Sequence, residues 1–472
     1  MINQIVSDCD MTHTLAKRLQ SRHVSMIAIG GAIGTGIFLA SGYTISIGGP
    51  GGALIAYIIM AVIVYFLMTS LAEMSVYMPT SGTFCEYSTL FVSKPFGIAM
   101  GYNYWLNWAI TIAAELSAAG VTMHYWFPNI HDVIFASIFF VAILIANILS
   151  VRVYGEIEYA MSFIKVAVII IFIVLGTVSI FHQPDLGIHR WKIAGAPFHS
   201  GLFGFIWVFL LAGYSFQGTE LVGVASGETE NPHVAIPKSI RYVFWRIALF
   251  YILSIAVLTL LISYNNPNLT YQDSVEMSPY TLIFSKYISY YAGDVVNFVI
   301  LTAILSAANA SMYSSTRILW YLGKTNQAPK IFSKTNRFSI PSAALFATAF
   351  VGSTVFFSSF IGNGVLFTYL MQISSLSGFI AWFGIALSHY QFRKKYLPKH
   401  GGLNSLVYRA KFYPYAQIFS MIAIVFVVAG QFIPLLAIKQ HPTTTLVLTY
   451  SSAILFGILY FFCKFFLSSK KT

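Results

Sequence analysis

Twelve long apolar stretches follow one another along this chain, at about 24–47, 52–75, 96–124, 133–150, 157–181, 201–226, 240–263, 280–313, 341–358, 363–390, 412–433 and 444–467. A helix that crosses a bilayer needs about 20 mostly apolar residues. No water reaches the hydrocarbon, so only helices and closed barrels can satisfy their backbone groups there. None of these stretches alternates polar with apolar residues, so they predict helices, and the expected class is an all-α integral membrane protein. Composition agrees: 57% of the residues are hydrophobic and 9% charged, with mean hydropathy +0.74, whereas soluble domains carry about 25% charged residues. Residues 1–23 form a polar tail with no cleavable signal sequence. Cys9, Cys85 and Cys463 are scattered and suggest neither a disulfide framework nor a metal site.

The formal charge of +12 at first suggests an anionic partner such as nucleic acid. Its distribution explains it differently. With the N-terminus in the cytoplasm, the tail, the even-to-odd connections and the C-terminal end hold 22 of the 27 lysines and arginines. The opposite side holds Arg190, Lys192, Lys286 and Lys439, and Lys165 stays inside a span. This is the positive-inside pattern. It expects both termini in the cytoplasm, membrane lipid as the anionic partner, and no nucleic acid.

The first span contains GGAIGTGIF, residues 30–38, with four glycines in seven positions. One reading is close helix packing, since Gly30 and Gly34 make a small-xxx-small face. The other is a break at mid-membrane, which frees N–H groups for a carboxylate and C=O groups for an ammonium. A matching interruption in the other half favours the break. The sixth span reads LAGYSFQGTELVGVASGE, where Gly213 and Gly218 bracket YSFQ and Glu220 follows. The expected organisation is an N-terminal tail (1–23), a transport core (24–390) built from inverted repeats at about 24–181 and 201–390, and a segment 391–472 carrying spans eleven and twelve.

SRHVSMIAIGGAIGTGIFLASG resembles the first helix of the amino acid–polyamine–organocation permeases, in their amino acid transporter branch. FQGTELVGVASGETENP, IPKSIRYVFWRIALFYIL, ILTAILSAANASMYSSTRIL, SGFIAWFGIALSHYQFRKKY, YFLMTSLAEMSVYMPTSGTF and GYNYWLNWAITIA resemble the lysine-transporting members in bacteria. The resemblance weakens past about residue 400. It implies a LeuT-like fold of 12 transmembrane helices with a five-plus-five inverted repeat and discontinuous helices 1 and 6. It also implies proton-coupled import of L-lysine across the bacterial cytoplasmic membrane, driven by the proton gradient without a cofactor. The two breaks then supply the substrate contacts: Ile29, Gly30, Gly31, Ile33, Gly34, Thr35 and Gly36 in the first, Phe216, Gln217 and Gly218 in the second.

Ionisable residues inside spans are costly and mark candidate sites. Lys165 in SFIKVAVII either snorkels to the interface or serves coupling. The resemblance favours coupling, because proton-driven relatives place a lysine where sodium-driven ones hold sodium, between helices 1 and 8. A buried ammonium also surrenders its proton more readily than an exposed one. Glu220, at the start of the inner half of helix 6 with Thr219 as its expected cap, suits a cationic substrate, protonation or gating. Glu115 in TIAAELSAAG suits an outer vestibule that attracts cations, or an interhelix hydrogen bond. Glu228 and Glu230 suit the inner exit or a solvated helix end, and Glu73 raises the same question. Tyr102, Trp105, Trp108 and Phe216 are cation–π candidates, with packing as the alternative. Asn309, Ser311 and Ser314 are expected to close hydrogen bonds around Lys165 or the first break, or to serve close packing.

An enzyme is not expected: the chain lacks HExxH, GxSxG, a Walker sequence and clustered metal ligands. The alternatives left open are a permease for arginine, ornithine or a neutral amino acid, and a membrane sensor with residual transport. The oligomeric state is not legible.

Overall fold

The computed structural model describes residues 33–469, apart from 150, 226–228, 230–231, 272–273, 276, 337 and 434–441. Ile29, Gly30, Gly31, Glu228 and Glu230 lie outside the described residues.

Helices dominate, as the unbroken apolar runs require. A π-helical turn, Gly36–Ala40, leads into α1, Ser41–Tyr77. The non-helical backbone of Gly49 and the ring of Pro50 kink α1, so it carries both the first and the second expected span. The segment 197–199 pins this kink, with Gly51 N–H donating to Pro197 O at 2.9 Å and His199 N–H to Gly48 O at 3.1 Å. There follow α2 (Thr83–Tyr87), α3 (Lys94–His124), α4 (Asp132–Leu149) and α5 (Val151–His182). The sixth expected span is α6 (Gly201–Phe216) and α7 (Leu221–Ala225). The seventh runs through α8 (Pro232–Trp245), a π-helical stretch Arg246–Leu253 and α9 (Ser254–Leu261).

Two short strands, β1 (Thr270–Tyr271) and β2 (Ser274–Val275), pair antiparallel with Thr270 opposite Val275. The second half continues with α10 (Pro279–Tyr287), α11 (Tyr290–Lys324), α12 (Ser342–Gly352), α13 (Ser358–Ile361), α14 (Asn363–Gln391), α15 (Tyr415–Gly430) and α16 (Pro442–Ser469). Among the described residues, seven helices are long and apolar enough to cross a bilayer, and three shorter apolar helices accompany them.

Three expectations need correction. The eighth span does not start at 280. Ser289 accepts from Ala292 N–H as an N-cap at 3.1 Å and starts α11 afresh after α10. The fifth helix starts at Val151 rather than about 157, so Lys165 lies about four turns inside it. Arg246 and Arg317, counted with the cytoplasmic connections, are buried. The Arg317 guanidinium lies 4.0 Å over the Tyr313 ring.

The centre is α3, packed chiefly on α11 and α14, while α1 packs on α6. The innermost residues include Phe38, Tyr57, Tyr104, Phe216, Tyr280 and Trp382. Apolar side chains on α4, α5, α15 and α16, such as Ile138, Phe163, Phe426 and Phe465, point outward, as a surface facing lipid requires.

Candidate functional site

The second glycine cluster breaks its helix. Phe216 ends α6, Gln217 turns to φ −59° and ψ 148°, and Gly218 takes φ +88°, a left-handed conformation that glycine adopts without steric cost. Helix resumes at Leu221. Gly213 is not part of the turn. It lies inside α6 against the Phe379 ring, where an added Cβ would collide. Its small size serves packing.

In the first cluster, irregular backbone at Ile33 and Gly34 gives way to helix at Thr35. The Gly30–Gly34 packing face lies partly outside the described residues, but Gly36 lies so near the Ser215 backbone that a Cβ there would clash. Ser215 Oγ–H donates to Gly36 O at 2.7 Å and shares a 2.7 Å hydrogen bond with Tyr57. The first span is therefore held directly on the sixth, just beside the break at Gln217 and Gly218.

Glu115, about two thirds of the way along α3, stands at this meeting point, where it makes an interhelix hydrogen bond. An atom added as Cβ to Gly34 would lie 3.1 and 3.2 Å from its carboxylate oxygens. Thr35 Oγ1–H donates to Glu115 Oε1 at 2.8 Å, and Tyr214 O–H donates to the same oxygen at 3.4 Å. Glu115 Oε2 is buried without a hydrogen bond among the described residues. A small pocket of about 20 Å³ lies here, lined by Gly34, Gly36, Trp108, Glu115, Tyr214, Gln217 and Ser311 among others. That is space for about one water, so an amino acid enters only if the helices separate. The indole N–H of Trp108 also has no hydrogen bond among the described residues.

A wider cavity, about 600 Å³, lies beyond the end of α3 and is lined by Leu39, Thr122, His124, Tyr125, Ser278 and Asn297. Sequence reading missed both Tyr214 and this cavity. Tyr214 stands inside the quoted YSFQ, so the signal was present.

The remaining candidates divide. Gln217 anchors the second break to α14 through Nε2–H donated to Ser374 O and Ser375 O, each at 3.1 Å. Glu220 is enclosed by donors: Tyr104 O–H at 3.3 Å, Trp382 Nε1–H at 3.3 Å and Gly218 N–H at 3.2 Å. Thr219 does not cap the inner half-helix but donates back to Phe216 O at 3.0 Å. Phe216 stacks on Tyr251, ring centroids 4.4 Å apart. Tyr102 and Trp105 do not reach the pocket. Their donors go to Gln327 O at 3.0 Å and Thr348 Oγ1 at 3.1 Å.

Lys165 is fully buried, so it does not snorkel. Its ammonium donates to Ser306 Oγ of α11 at 2.8 Å and pairs with Glu158 at 3.9 Å. Neither partner was foreseen, although Glu158 lies two turns before Lys165 on the same face of α5. Of the expected residues of α11, Ser311 lines the pocket at the first glycine cluster, and no bond to Lys165 is seen from any of the three among the described residues. Asn309 Oδ1 accepts from Asn147 Nδ2–H at 2.7 Å, Ser311 donates to Ala307 O at 2.7 Å, and Ser314 Oγ has no hydrogen bond among the described residues. The hydroxyl that reaches Lys165 is Ser306, on the same helix. Glu73 is not solvated. It is buried and accepts from Arg393 Nε–H at 2.6 Å, from the Arg393 terminal nitrogen, and from Ala410 N–H at 2.5 Å, with His389 Nε2 at 3.0 Å.

Residues 23–472 match the family model described as Amino acid permease. The chain is 46% identical over 424 residues to the lysine-specific permease of Escherichia coli (strain K12), covering 88% of this chain and 86% of that one. It is 44% identical to the lysine-specific permease of Lactococcus lactis subsp. cremoris (strain MG1363), covering 96% and 91%. It is 42% identical to the histidine permease of the same strain, covering 96% of each. With an interrupted sixth span meeting the first glycine cluster at a buried carboxylate, and the family model matched over nearly the whole chain, this chain is an integral membrane protein of the amino acid permease family, a transporter and not an enzyme.

Proposed function

We propose that this permease imports L-lysine across the bacterial cytoplasmic membrane in symport with protons, by alternating access in a LeuT-like arrangement of 12 helices with both termini in the cytoplasm. The observation that carries the substrate reading is the Glu115 carboxylate, buried at the junction of the two glycine clusters with Oε2 lacking a hydrogen bond among the described residues. Lys165 acts on this carboxylate through space, and a cationic amino acid brings a counter-charge into direct contact with it, as a buried charge requires. The lysine-specific relatives support the same substrate. The histidine permease favours a second reading, histidine, whose protonated ring also meets a carboxylate. Proton coupling rests on Lys165, an ammonium held in the membrane interior where it takes the place of a metal cation.

The test is labelled L-lysine uptake into proteoliposomes with the membrane potential clamped, comparing inward proton and sodium gradients. Excess histidine, arginine, ornithine or a neutral amino acid serves as competitor. Accumulation driven by protons and blocked by lysine alone is expected. Sodium drive overturns the coupling, and stronger competition by another amino acid overturns the substrate.

A further inference from the structure

We infer that Glu158 is the proton acceptor for Lys165, with the Ser306 hydroxyl as the relay between them. The inference rests on the reading that Lys165 carries the coupling proton. Three atoms form a wired path: Lys165 Nζ–H donates to Ser306 Oγ at 2.8 Å, and Ser306 Oγ–H donates to Glu158 Oε1 at 2.7 Å. Lys165 and Glu158 are both fully buried, and their charged atoms approach to 3.9 Å. Two other charges act on the ammonium. Glu115 of α3 attracts it and Arg246 of the π-helical stretch repels it.

The physical argument is one of charge balance. Breaking a buried ion pair from one side leaves an uncompensated charge in a medium that tolerates none. If Lys165 lost its proton directly to solvent, the Glu158 carboxylate would remain alone in the membrane interior. Transfer inside the pair avoids this. The Lys165 N–H bond breaks and its proton passes to Ser306 Oγ, while the Ser306 O–H proton passes to Glu158 Oε1. Each bonding pair stays on the atom that gives up the proton. The products are a neutral amine, a neutral carboxylic acid and a hydroxyl, and the pair is uncharged overall before and after. Departure of the proton from Glu158 to one side, and arrival of another at Lys165 from the other, restores the start and carries charge across. A pair that served structure alone would need only the 3.9 Å contact. The hydroxyl bonded to both partners is what a relay adds.

The test uses the full chain in proteoliposomes and two assays. One is lysine accumulation driven by an inward pH gradient. The other is lysine–lysine exchange at equal pH, which needs no net proton movement. Loss of a positioned proton acceptor typically costs on the order of 100-fold in rate. E158Q is expected to lose proton-driven uptake to about that extent and exchange far less, with the pH profile of uptake flattened. S306A keeps the ion pair and removes only the relay, and should show the same split. S306T, which restores a hydroxyl, should recover uptake. Equal losses in both assays, or wild-type uptake and pH profile in either variant, overturn the proposal. Should E158Q fail to fold, S306A and S306T decide. Absence of proton-driven uptake in the wild type itself marks failure of the underlying reading, and the inference falls with it.

Discussion

Glu115 and Glu220 are both carboxylates buried beside helix breaks, yet their surroundings assign them different work. Glu115 keeps one oxygen unbonded, while Glu220 is surrounded by three donors of its own. Glu115→Gln preserves shape and removes charge. A hydrogen bond to a charged group contributes about 1.5–3 kcal/mol, so lysine binding is expected to weaken by ~10–150-fold. A neutral amino acid should lose far less, as equilibrium binding to the purified protein will show. Equal weakening would mean that Glu115 only shapes the site. Glu220→Gln should behave in that second way, lowering lysine and neutral substrates alike, because it loosens the turn rather than a contact with the side-chain ammonium. Lys165, Glu115 and Glu220 were legible in the sequence because a charge in an apolar run has few bland explanations. Glu158 was not singled out, because it stands at the expected start of its span, where a charge is not costly. Ser306 was passed over for Asn309, Ser311 and Ser314 because the sequence does not fix how a helix rotates about its axis.

At the scale of elements, what matters is how the interrupted helices hold their turns. Gly218 sits at φ +88°, where a Cβ costs about 1–2 kcal/mol. Gly36 touches the Ser215 backbone, where overpacking costs about 1–3 kcal/mol. Gly218→Ala and Gly36→Ala should each lower the melting temperature in detergent, and Gly36→Ala should also abolish uptake by prising the first span from the sixth. A Gly36→Ala variant that transports normally would show that the two spans need not touch. The break in the sixth span was legible, since a glycine pair bracketing a polar-aromatic stretch inside an apolar run has few other uses; the first expected break falls largely outside the described residues. The edges of the sixth-span break were not legible. Gly213 and Gly218 look alike in the sequence, but one accommodates a phenylalanine ring and the other a left-handed turn. The start of α11 was hidden for a related reason: α10 and α11 are both apolar, and the serine cap that separates them is a common residue in membrane helices.

Across the whole molecule, one carboxylate ties distant parts of the chain together. Glu73, near the end of α1, accepts from Arg393 just past α14 and from the backbone of Ala410, beside His389. The contact joins positions over 300 residues apart in sequence, linking α1 of the first half to the end of the second and to the segment leading into α15. Arg393 belongs to the basic group expected at the cytoplasmic face, so the clamp lies where that face would close. Arg393→Ala removes the main counter-charge and leaves Glu73 buried. Removing one partner of a buried pair costs about 3–5 kcal/mol, and that is the expected loss, read as a lower melting temperature of the purified protein. A second variant separates charge from packing. Replacing both partners by neutral residues of similar shape, Glu73→Gln with Arg393→Met, removes the unpaired charge, and such exchanges are often neutral for stability. The double variant should therefore melt well above Arg393→Ala. If it melts equally low, the geometry of the clamp rather than its charge balance holds the two halves together. Uptake separates the remaining roles. A double variant that is stable but transports slowly would place the clamp among the contacts that must form and break in each cycle, whereas one that is stable and fully active would confine it to holding the fold.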